Sequence, residues 1–197
     1  MKNEPIVATV VYLTRNRAGI THFCLAQKKQ NIHKDNGEVL ANSQKWNGYG
    51  GKVEKSDTSI SQCALRELYD ESGVKADEAD LCNVGQLQFF WPNSTTQVCD
   101  MDVTFFLLGK YEGEPHETRE MGPPKYFTLD DAPFEHMMPA DKLILSVIMT
   151  NRNIEGKIFF KKNAASETMI KMTTTAINDR LEPRNAHHER FFFCLKF

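Results

Sequence analysis

The sequence lacks the signature of a disulfide framework or of a structural zinc site. Its five cysteines are an odd number and contain no C-x-x-C pair: Cys24, Cys63, Cys82, Cys99 and Cys194. Disulfide frameworks use paired cysteines, and structural zinc sites use closely spaced ligands. We therefore expect reduced thiols and a cytoplasmic protein.

The sequence also lacks a strong excess of charge and a long apolar run. Its 24 Lys and Arg residues nearly balance 26 Asp and Glu residues, so we expect no stable nucleic-acid partner. The first apolar run is broken by Thr9 and is soon followed by Thr14 and Arg15. This pattern predicts a first strand rather than a signal peptide or a membrane span, and hence no membrane partner. Both a monomer and a homodimer fit the sequence.

What is present is enough apolar material for one domain, with 41% hydrophobic residues in a chain of 197. Residues 6–13 and 20–27 predict a hairpin joined by the turn RNRAG, and residues 60–72 predict a helix capped by Thr58 or Ser59 and ended by Gly73. Further runs predict strands over 84–91, 101–108, 124–129, 156–161 and 168–175 and a helix over about 140–151. This order predicts a mixed α/β domain over residues 1–177, with helices packed on a central sheet.

Two segments interrupt the regular pattern. The polar residues 29–45 predict a long surface loop of the kind that often faces a ligand. Residues 178–197 form a tail that is first charged and then strongly apolar in FFFCLKF. Docking on the domain, a dimer contact and an unusual gene boundary remain open for this tail, and docking is the least demanding of them.

The segment 50–74, GGKVEKSDTSISQCALRELYDESGV, carries the clearest chemical pattern. Residues three and four apart share a helix face, so Glu67, Asp70 and Glu71 are expected to form one carboxylate cluster. Such a cluster repels itself, and a hard divalent cation such as Mg²⁺ relieves the repulsion. A solvated helix face is the plainer interpretation of three acids, but it would not need the preceding glycines Gly50 and Gly51.

This segment resembles the Nudix box, the sequence motif of the Nudix hydrolases. The matching positions are Gly51, Arg66, Glu67, Leu68, Glu71, Gly73 and Val74. The sequence departs from the box in having Asp57, with one extra residue before Arg66, and Asp70, where the family usually has Glu. The longer loop leaves the pairing of Asp57 with Arg66 open. The resemblance implies a Nudix fold, a mixed β-sheet sandwiched between α-helices.

The resemblance also implies a magnesium centre, for which Mn²⁺ is a possible substitute, and a nucleoside triphosphate substrate. The implied metal ligands are the Gly50 carbonyl, Glu67, Asp70, Glu71 and Glu120. The implied catalytic set is Glu71, Glu67, Arg66, Lys52 and Glu120, in which Arg66 orients the acids and Lys52 adds charge near the phosphates. For Glu120, in the stretch ETREMGPP, an ordinary solvated loop glutamate is the alternative.

Further blocks of sequence resemble the oxidised purine nucleoside triphosphatases, a family related to MutT. These blocks are WNGYGGKVE, VGQLQFF, MDVTFF and PPKYFTLDDAPFEHMMPADK. The resemblance implies cleavage of 8-oxo-dGTP and similar nucleotides to the monophosphate and pyrophosphate. It implies a base pocket lined by Thr9, Lys28, Asn47, Phe89, Met101, Met138 and Asp141, although each of these residues alone could serve packing.

Two departures affect the expected substrate. The family has tryptophan where Met138 stands and two adjacent aspartates where Ala140 and Asp141 stand. Loss of a buried hydrogen-bonding group can change discrimination by orders of magnitude, so the preference for 8-oxoguanine stays open. A Nudix hydrolase for another diphosphate linkage, such as a dinucleoside polyphosphate, a nucleotide sugar or a capped RNA end, is the first alternative. A catalytically silent nucleotide-binding Nudix module is the second.

Overall fold

One mixed sheet carries the architecture of the chain. The computed structural model describes residues 4–29, 44–91 and 99–160, and the backbone of residues 167–176 and 189–196. The strands are β1 (Ile6–Arg17), β2 (Ile20–Gln27), β3 (Trp46–Asn47), β4 (Cys82–Phe90), β5 (Met101–Leu108), β6 (Lys125–Phe127), β7 (Arg152–Phe160), β8 (Glu167–Ala176) and β9 (Glu189–Lys196). The helices are α1 (Ile60–Ser72) and α2 (Asp141–Ile148), with 3₁₀ turns at Glu78–Asp80 and Phe134–His136.

The strand order is β3-β2-β1-β5-β4-β7-β8-β9, and β6 pairs with β2. The pairs β1–β5 and β4–β7 are parallel, whereas β1–β2, β4–β5, β7–β8 and β8–β9 are antiparallel. Among the helices that the structure describes, neither has the length and hydropathy needed to cross a membrane.

The two helices cover opposite faces of the sheet. Because strand side chains alternate between faces, Val11 and Leu13 of β1 pack with Leu68 of α1, whereas Tyr12 packs with Ile144 of α2. Each set belongs to its own buried cluster, which we call the α1-side core and the α2-side core. The predicted sandwich of a mixed sheet between helices is confirmed.

Helix α1 begins and ends where the local sequence predicts. The Ser59 hydroxyl accepts a hydrogen bond from the Gln62 amide at 3.0 Å, and Gly73 ends the helix in the left-handed conformation with φ of 74°. Ser59 thus satisfies one amide of the first turn, and Gly73 adopts the reversal at the C-terminus without steric cost. These caps hold the acidic residues of α1 at a fixed position on the sheet.

The predicted hairpin is present, but its turn is shorter than predicted. Arg17 pairs with Ile20, and only Ala18 and Gly19, with φ of 51° and 83°, lie between the strands. The polar residues Arg15 and Asn16 are therefore part of β1. Composition predicts a five-residue loop, but cross-strand pairing extends the hairpin through these residues, with Arg15 half-buried against the Tyr126 ring and Asn16 exposed.

Other predicted bounds also change. Strand β7 begins at Arg152, not near residue 156, because parallel pairing with β4 already includes Ile154 opposite Gly85. Helix α2 ends at Ile148 rather than near 151, since Asn151 has φ of 57° and reverses the chain. Of the predicted loop 29–45, residues 30–43 lie outside the described part of the chain, as do residues 178–188 and 197 of the tail. The tail residues 189–196 form β9, which pairs with β8 and extends the sheet.

Candidate active site

The double glycine lies in a loop that runs beside β1. The Thr9 amide donates to the Gly51 carbonyl at 2.9 Å, and the Val11 amide donates to the Tyr49 carbonyl at 2.6 Å. The Val53 amide returns a hydrogen bond to the Val7 carbonyl at 2.9 Å. These antiparallel bonds fix the glycine loop, residues 48–53, against the sheet and next to α1.

Glu71 reaches this loop from the last turn of α1. Its side chain is only 4% exposed, and one carboxylate oxygen accepts the Gly50 amide hydrogen at 2.8 Å. The other oxygen accepts from the Lys28 ammonium at 3.3 Å. Burial raises the pKa of Glu71, and the nearby Lys28 charge opposes that shift. Glu71 is therefore a buried acid whose ionised form relies on a cation.

Glu67 reaches the same loop at the adjacent glycine. A β-carbon added at Gly51 would lie 2.5 Å from the carboxylate of Glu67, so any side chain at this position would displace it. Glu67 also raises the pKa of Glu71 through charge repulsion, which places the two carboxylates near each other. Gly51 thus makes room for a carboxylate of the protein itself.

Arg66 forms an ion pair with Asp57, the pairing that the extra residue in the loop left undecided from the sequence. Its guanidinium donates to both carboxylate oxygens of Asp57, each at 2.9 Å, and to Glu67 at 2.8 Å. The paired arginine holds the pKa of Asp57 well below its usual range. This planar, bidentate contact joins the loop to α1 and orients Glu67.

The other predicted metal ligands do not all lie beside Glu67 and Glu71. Among the described residues, no backbone amide donates a hydrogen bond to the Gly50 carbonyl. Asp70 is exposed on α1. Within the described ranges, no three His, Cys, Asp or Glu side chains lie close enough together to hold one metal ion. The geometry therefore brings together Glu67 and Glu71 and leaves Asp70 outside this pair.

Two predicted residues have exposed side chains beside this region. Lys52 lies in the glycine loop, where its carbonyl accepts from Arg66 at 3.2 Å. Glu120 lies in a loop whose Thr118 hydroxyl donates to the Glu71 carbonyl at 3.3 Å, so the loop borders the end of α1. The Glu120 carbonyl accepts from the Lys29 amide at 2.8 Å, and its side chain is exposed.

The predicted base-pocket residues fall into two groups. Thr9 and Lys28 lie on the α1 side, where the Thr9 hydroxyl is 3.7 Å from the thiol of Cys63 and Lys28 contacts Glu71. Asn47 pairs with Ala26 in the short contact between β2 and β3. Phe89 and Met101 are direct partners in the β4–β5 register and pack against the α2-side core.

Residues that the sequence analysis did not single out extend the second group. The ring centroids of Phe89 and Phe160 are 6.2 Å apart, and Trp91 lies 6.1 Å from Phe89 and 5.3 Å from Phe160. Trp91 is 38% exposed, so this aromatic cluster reaches solvent. Strand alternation could have identified Trp91, because it stands two residues after Phe89 on the same face. Phe160 comes from a distant strand, β7.

Asp141 begins α2 and is 9% exposed. Its carboxylate accepts the Met138 amide hydrogen at 2.9 Å, while Lys45, which donates to the Met137 carbonyl at 3.0 Å, provides a nearby positive charge. Burial dominates and raises the pKa of Asp141 to about 7. The side chain of Ala140 is buried in the α2-side core and offers no polar group there. Asp141 is thus a single acid that changes charge near neutral pH.

The pKa of Asp141 predicts how stability depends on pH. The pKa of Asp141 is higher in the folded protein than in the unfolded chain, so the folded protein holds the carboxyl proton more tightly. The stability that this proton contributes is lost as pH rises from about 4 to about 7. Asp141→Asn lacks this loss. We therefore compare the free energy of unfolding of Asp141→Asn with that of the unmodified protein at each pH. The variant's advantage should increase by about 2–4 kcal/mol between about pH 4 and about pH 8. Urea unfolding at several pH values measures this difference.

Asp131 provides the control with the opposite sign. Hydrogen bonds from Thr128 lower the pKa of Asp131, so its stabilisation is present above the unfolded pKa and is lost as pH falls. Asp131→Asn should therefore lose relative stability as pH rises. A pH-independent difference for Asp141→Asn would show that Asp141 ionises freely in the folded protein.

Comparisons with known proteins match one family model and several relatives. The model of the NUDIX domain matches residues 4–147. The chain is 38% identical over 117 residues to the oxidized purine nucleoside triphosphate hydrolase of Danio rerio, covering 59% of this chain and 70% of that protein. It is 35% identical, with the same coverage, to the Mus musculus protein of the same name.

Solved structures show the same fold. The MutT protein of Bacillus halodurans superposes with a TM-score of 0.60 and 20% identity, covering 80% of this chain and 92% of that one. The MutT NUDIX hydrolase of Burkholderia pseudomallei gives a TM-score of 0.56 and 18% identity, covering 73% and 98%. At these identities the likeness concerns the arrangement of strands and helices.

Proposed function

The chain belongs to the NUDIX family, and we propose that it hydrolyses oxidised purine nucleoside triphosphates to the monophosphate and pyrophosphate. The observation that carries this proposal is the convergence of Glu67 and Glu71 on adjacent glycines of one loop. Such a reaction would remove damaged nucleotides, including 8-oxo-dGTP, from the pool used for DNA synthesis. The names of the Danio rerio and Mus musculus relatives support this substrate class.

The proposed cofactor is Mg²⁺, with Mn²⁺ as a substitute. Glu67, Glu71 and the Gly50 carbonyl offer the hard oxygen donors that such a cation prefers, and Asp70 and Glu120 stand at the margin of this set. When bound, a divalent cation neutralises phosphate charge and makes an attacking water more acidic. Glu71 suits the role of metal ligand because its carboxylate is buried and needs a positively charged partner.

The residues around this pair would position the reacting groups. Arg66 holds Glu67 and Asp57 in one network, so the carboxylate needs little reorganisation when substrate arrives. Lys52 projects from the same loop and is exposed, where its charge can meet the polyphosphate. We propose that Glu120, on the loop beside the end of α1, accepts a proton from the attacking water.

The α2 side of the sheet supports binding of the base. Phe89, Trp91 and Phe160 present an aromatic surface for stacking, with Met101 beside Phe89. Asp141 offers a carboxyl group that donates a hydrogen bond when protonated and only accepts when ionised. We propose that Asn47 and Met138 complete this surface, and that Thr9 and Lys28 border it from the α1 side.

The free thiols support a proposal for the compartment. Cys24, Cys63 and Cys99 are buried cysteines that form no disulfide in the described part of the chain, as expected in a reducing environment. We therefore propose that the activity is cytoplasmic.

A substrate panel tests the proposal. With Mg²⁺, kcat/KM should be at least about 10-fold higher for 8-oxo-dGTP or 2-hydroxy-dATP than for dGTP or dATP, a difference of about 1.4 kcal/mol. Chromatography should show the monophosphate and pyrophosphate as products, and chelation of the metal should abolish both. Equal rates on oxidised and ordinary nucleotides would refute the sanitising role but keep the hydrolase.

A second candidate is suggested by Ala140. This residue is 1% exposed in the α2-side core, so one carboxylate expected for purine recognition is replaced by apolar contact. The loss of that carboxylate favours, as the second candidate, a Nudix hydrolase for a dinucleoside polyphosphate or a nucleotide sugar. If the panel shows metal-dependent cleavage without base preference, these linked diphosphates are the next substrates to measure.

A further inference from the structure

Lys28 neutralises the same buried carboxylate that the proposed function assigns to a metal ion. Resting on that function, we propose that Lys28 is a positioning residue that exchanges with the metal. Its ammonium group holds Glu71 in the metal-free protein, leaves when a divalent cation binds, and then becomes available to the anionic part of the nucleotide. Metal binding and nucleotide binding are thereby coupled through one side chain.

The hydrogen bonds to the two carboxylate oxygens of Glu71 differ in how easily they can be broken. One oxygen accepts the Gly50 amide, a backbone donor fixed by the hydrogen bonds between the glycine loop and β1. The other accepts from Lys28 at 3.3 Å, a contact made by the end of a long, flexible side chain. The oxygen facing Lys28 is therefore the one that a cation can take without moving the loop.

Lys28 is built to change its contact without moving its backbone. Its amide donates to the Lys45 carbonyl at 3.0 Å, its carbonyl accepts from the Gln44 amide at 2.7 Å, and it forms a bridge with Met121. Its side chain is 23% exposed, compared with 4% for Glu71. The main chain is thus held on two sides, while the ammonium group has a route towards water.

The charges favour an exchange over simultaneous binding. A divalent cation on Glu71 would repel the ammonium group of Lys28 at short range in a poorly solvated site. Within the described ranges, Glu71 is the only carboxylate within ion-pair distance of Lys28. The released ammonium group therefore gains most from an incoming anion, and the phosphates of a nucleotide provide one. Linkage makes this coupling reciprocal.

The direct test measures Mn²⁺ binding to the nucleotide-free protein by calorimetry. Lys28→Met removes the competing charge, so the Kd for Mn²⁺ should fall by about 5–10-fold, within the usual range for coupled sites. Lys28→Arg keeps the charge and should restore a Kd close to that of the unmodified protein. A residue with only a structural role would leave the affinity unchanged or weaken it on removal, and either result overturns the inference.

Lys29 provides the matched control. Its ammonium group contacts Glu117 at 2.7 Å and the Thr118 carbonyl at 2.6 Å rather than Glu71. Lys29→Met removes the same charge one residue away, so it should leave the Mn²⁺ affinity unchanged. An equal gain in affinity for both variants would indicate a general charge effect and would overturn the exchange.

A second measurement needs no variant, so it holds even if Lys28→Met folds poorly. Acetylation of the unmodified protein, followed by mass spectrometry, reports how accessible each lysine is. Addition of Mg²⁺ should raise the labelling rate of Lys28 several-fold, with Lys29 as the internal reference. No change at Lys28 overturns the exchange.

The two proposals fail in distinguishable ways. If the unmodified protein binds no divalent cation, the proposed metal-dependent function fails and the exchange fails with it. If it binds the cation and cleaves nucleotides, while Lys28 affects neither metal affinity nor labelling, only the exchange is overturned.

Discussion

Glu71→Gln is expected to lower kcat/KM by about 1000-fold, or about 4 kcal/mol of transition-state stabilisation. The change keeps the size of the side chain and the acceptor for the Gly50 amide, but it removes the negative charge. The NH₂ group of glutamine would also replace the carboxylate oxygen that accepts a hydrogen bond from Lys28, so two donors would face each other. Steady-state kinetics with Mg²⁺ and 8-oxo-dGTP measure the loss.

Stability should respond much less than activity to this change. Burial already disfavours the ionised carboxylate of Glu71, as its raised pKa indicates, so neutral glutamine avoids that desolvation cost. Lys28 loses its ion pair but has a partly exposed side chain that can turn to solvent. We expect the free energy of unfolding to change by no more than about 1 kcal/mol.

Glu155→Gln is the control for Glu71→Gln. Glu155 lies on β7 with an exposed side chain, so the same chemical change there should leave kcat/KM unchanged. Retention of more than about a tenth of the activity in Glu71→Gln would remove Glu71 from the proposed catalytic set.

Gly51→Ala is expected to lower kcat/KM by about 100-fold, the cost typical of a misplaced catalytic group. The added β-carbon would lie 2.5 Å from the Glu67 carboxylate, which must then move away from the glycine loop. This displacement also strains the hydrogen bond between Arg66 and Glu67. The loss should appear mainly in kcat and in the Mg²⁺ concentration needed for half-maximal rate.

Folding should tolerate Gly51→Ala, which separates this effect from a general loss of structure. The contacted atoms belong to the far end of a flexible side chain, and Gly51 does not have the left-handed backbone conformation that favours glycine. The free energy of unfolding should therefore change by no more than about 1 kcal/mol.

Gly109→Ala is the matched control for Gly51→Ala. A β-carbon at Gly109 meets only the Thr14 hydroxyl at 3.5 Å, an ordinary contact. Its activity and stability should both match those of the unmodified protein. Full activity in Gly51→Ala would show that the position of Glu67 beside the loop is not needed for the reaction.

The elements best predicted from the sequence are those specified by neighbouring residues. Helix α1 starts at its serine cap and ends at Gly73, since both signals act within one helical turn. The β1–β2 hairpin was predicted for a similar reason, although pairing carried the strands beyond Arg15. Strand β9 was missed because its existence depends on an edge of the sheet offered by β8.

The candidate active site divides in the same way. The glycine motif and the acids of α1 were identified from the sequence because they lie within one short segment of the chain. The aromatic cluster was found only in part, since Phe160 comes from β7 and meets Phe89 through the parallel pairing of β4 and β7. Asp57 and Arg66 are close in sequence, yet the fold of the intervening loop decided that they pair.

The sequence by itself therefore determined the family, the α1 segment and the chemical types available to the active site, because short-range hydrogen bonding and motif spacing encode them. Tertiary structure decided which of those groups meet. Lys28 and Glu71 are 43 residues apart and become an ion pair only when the fold brings the end of β2 close to the last turn of α1. Asp141 gains a pKa of about 7 only because the fold buries its carboxylate. Contact and burial depend on distant parts of the chain, and these are the properties that no local pattern specifies.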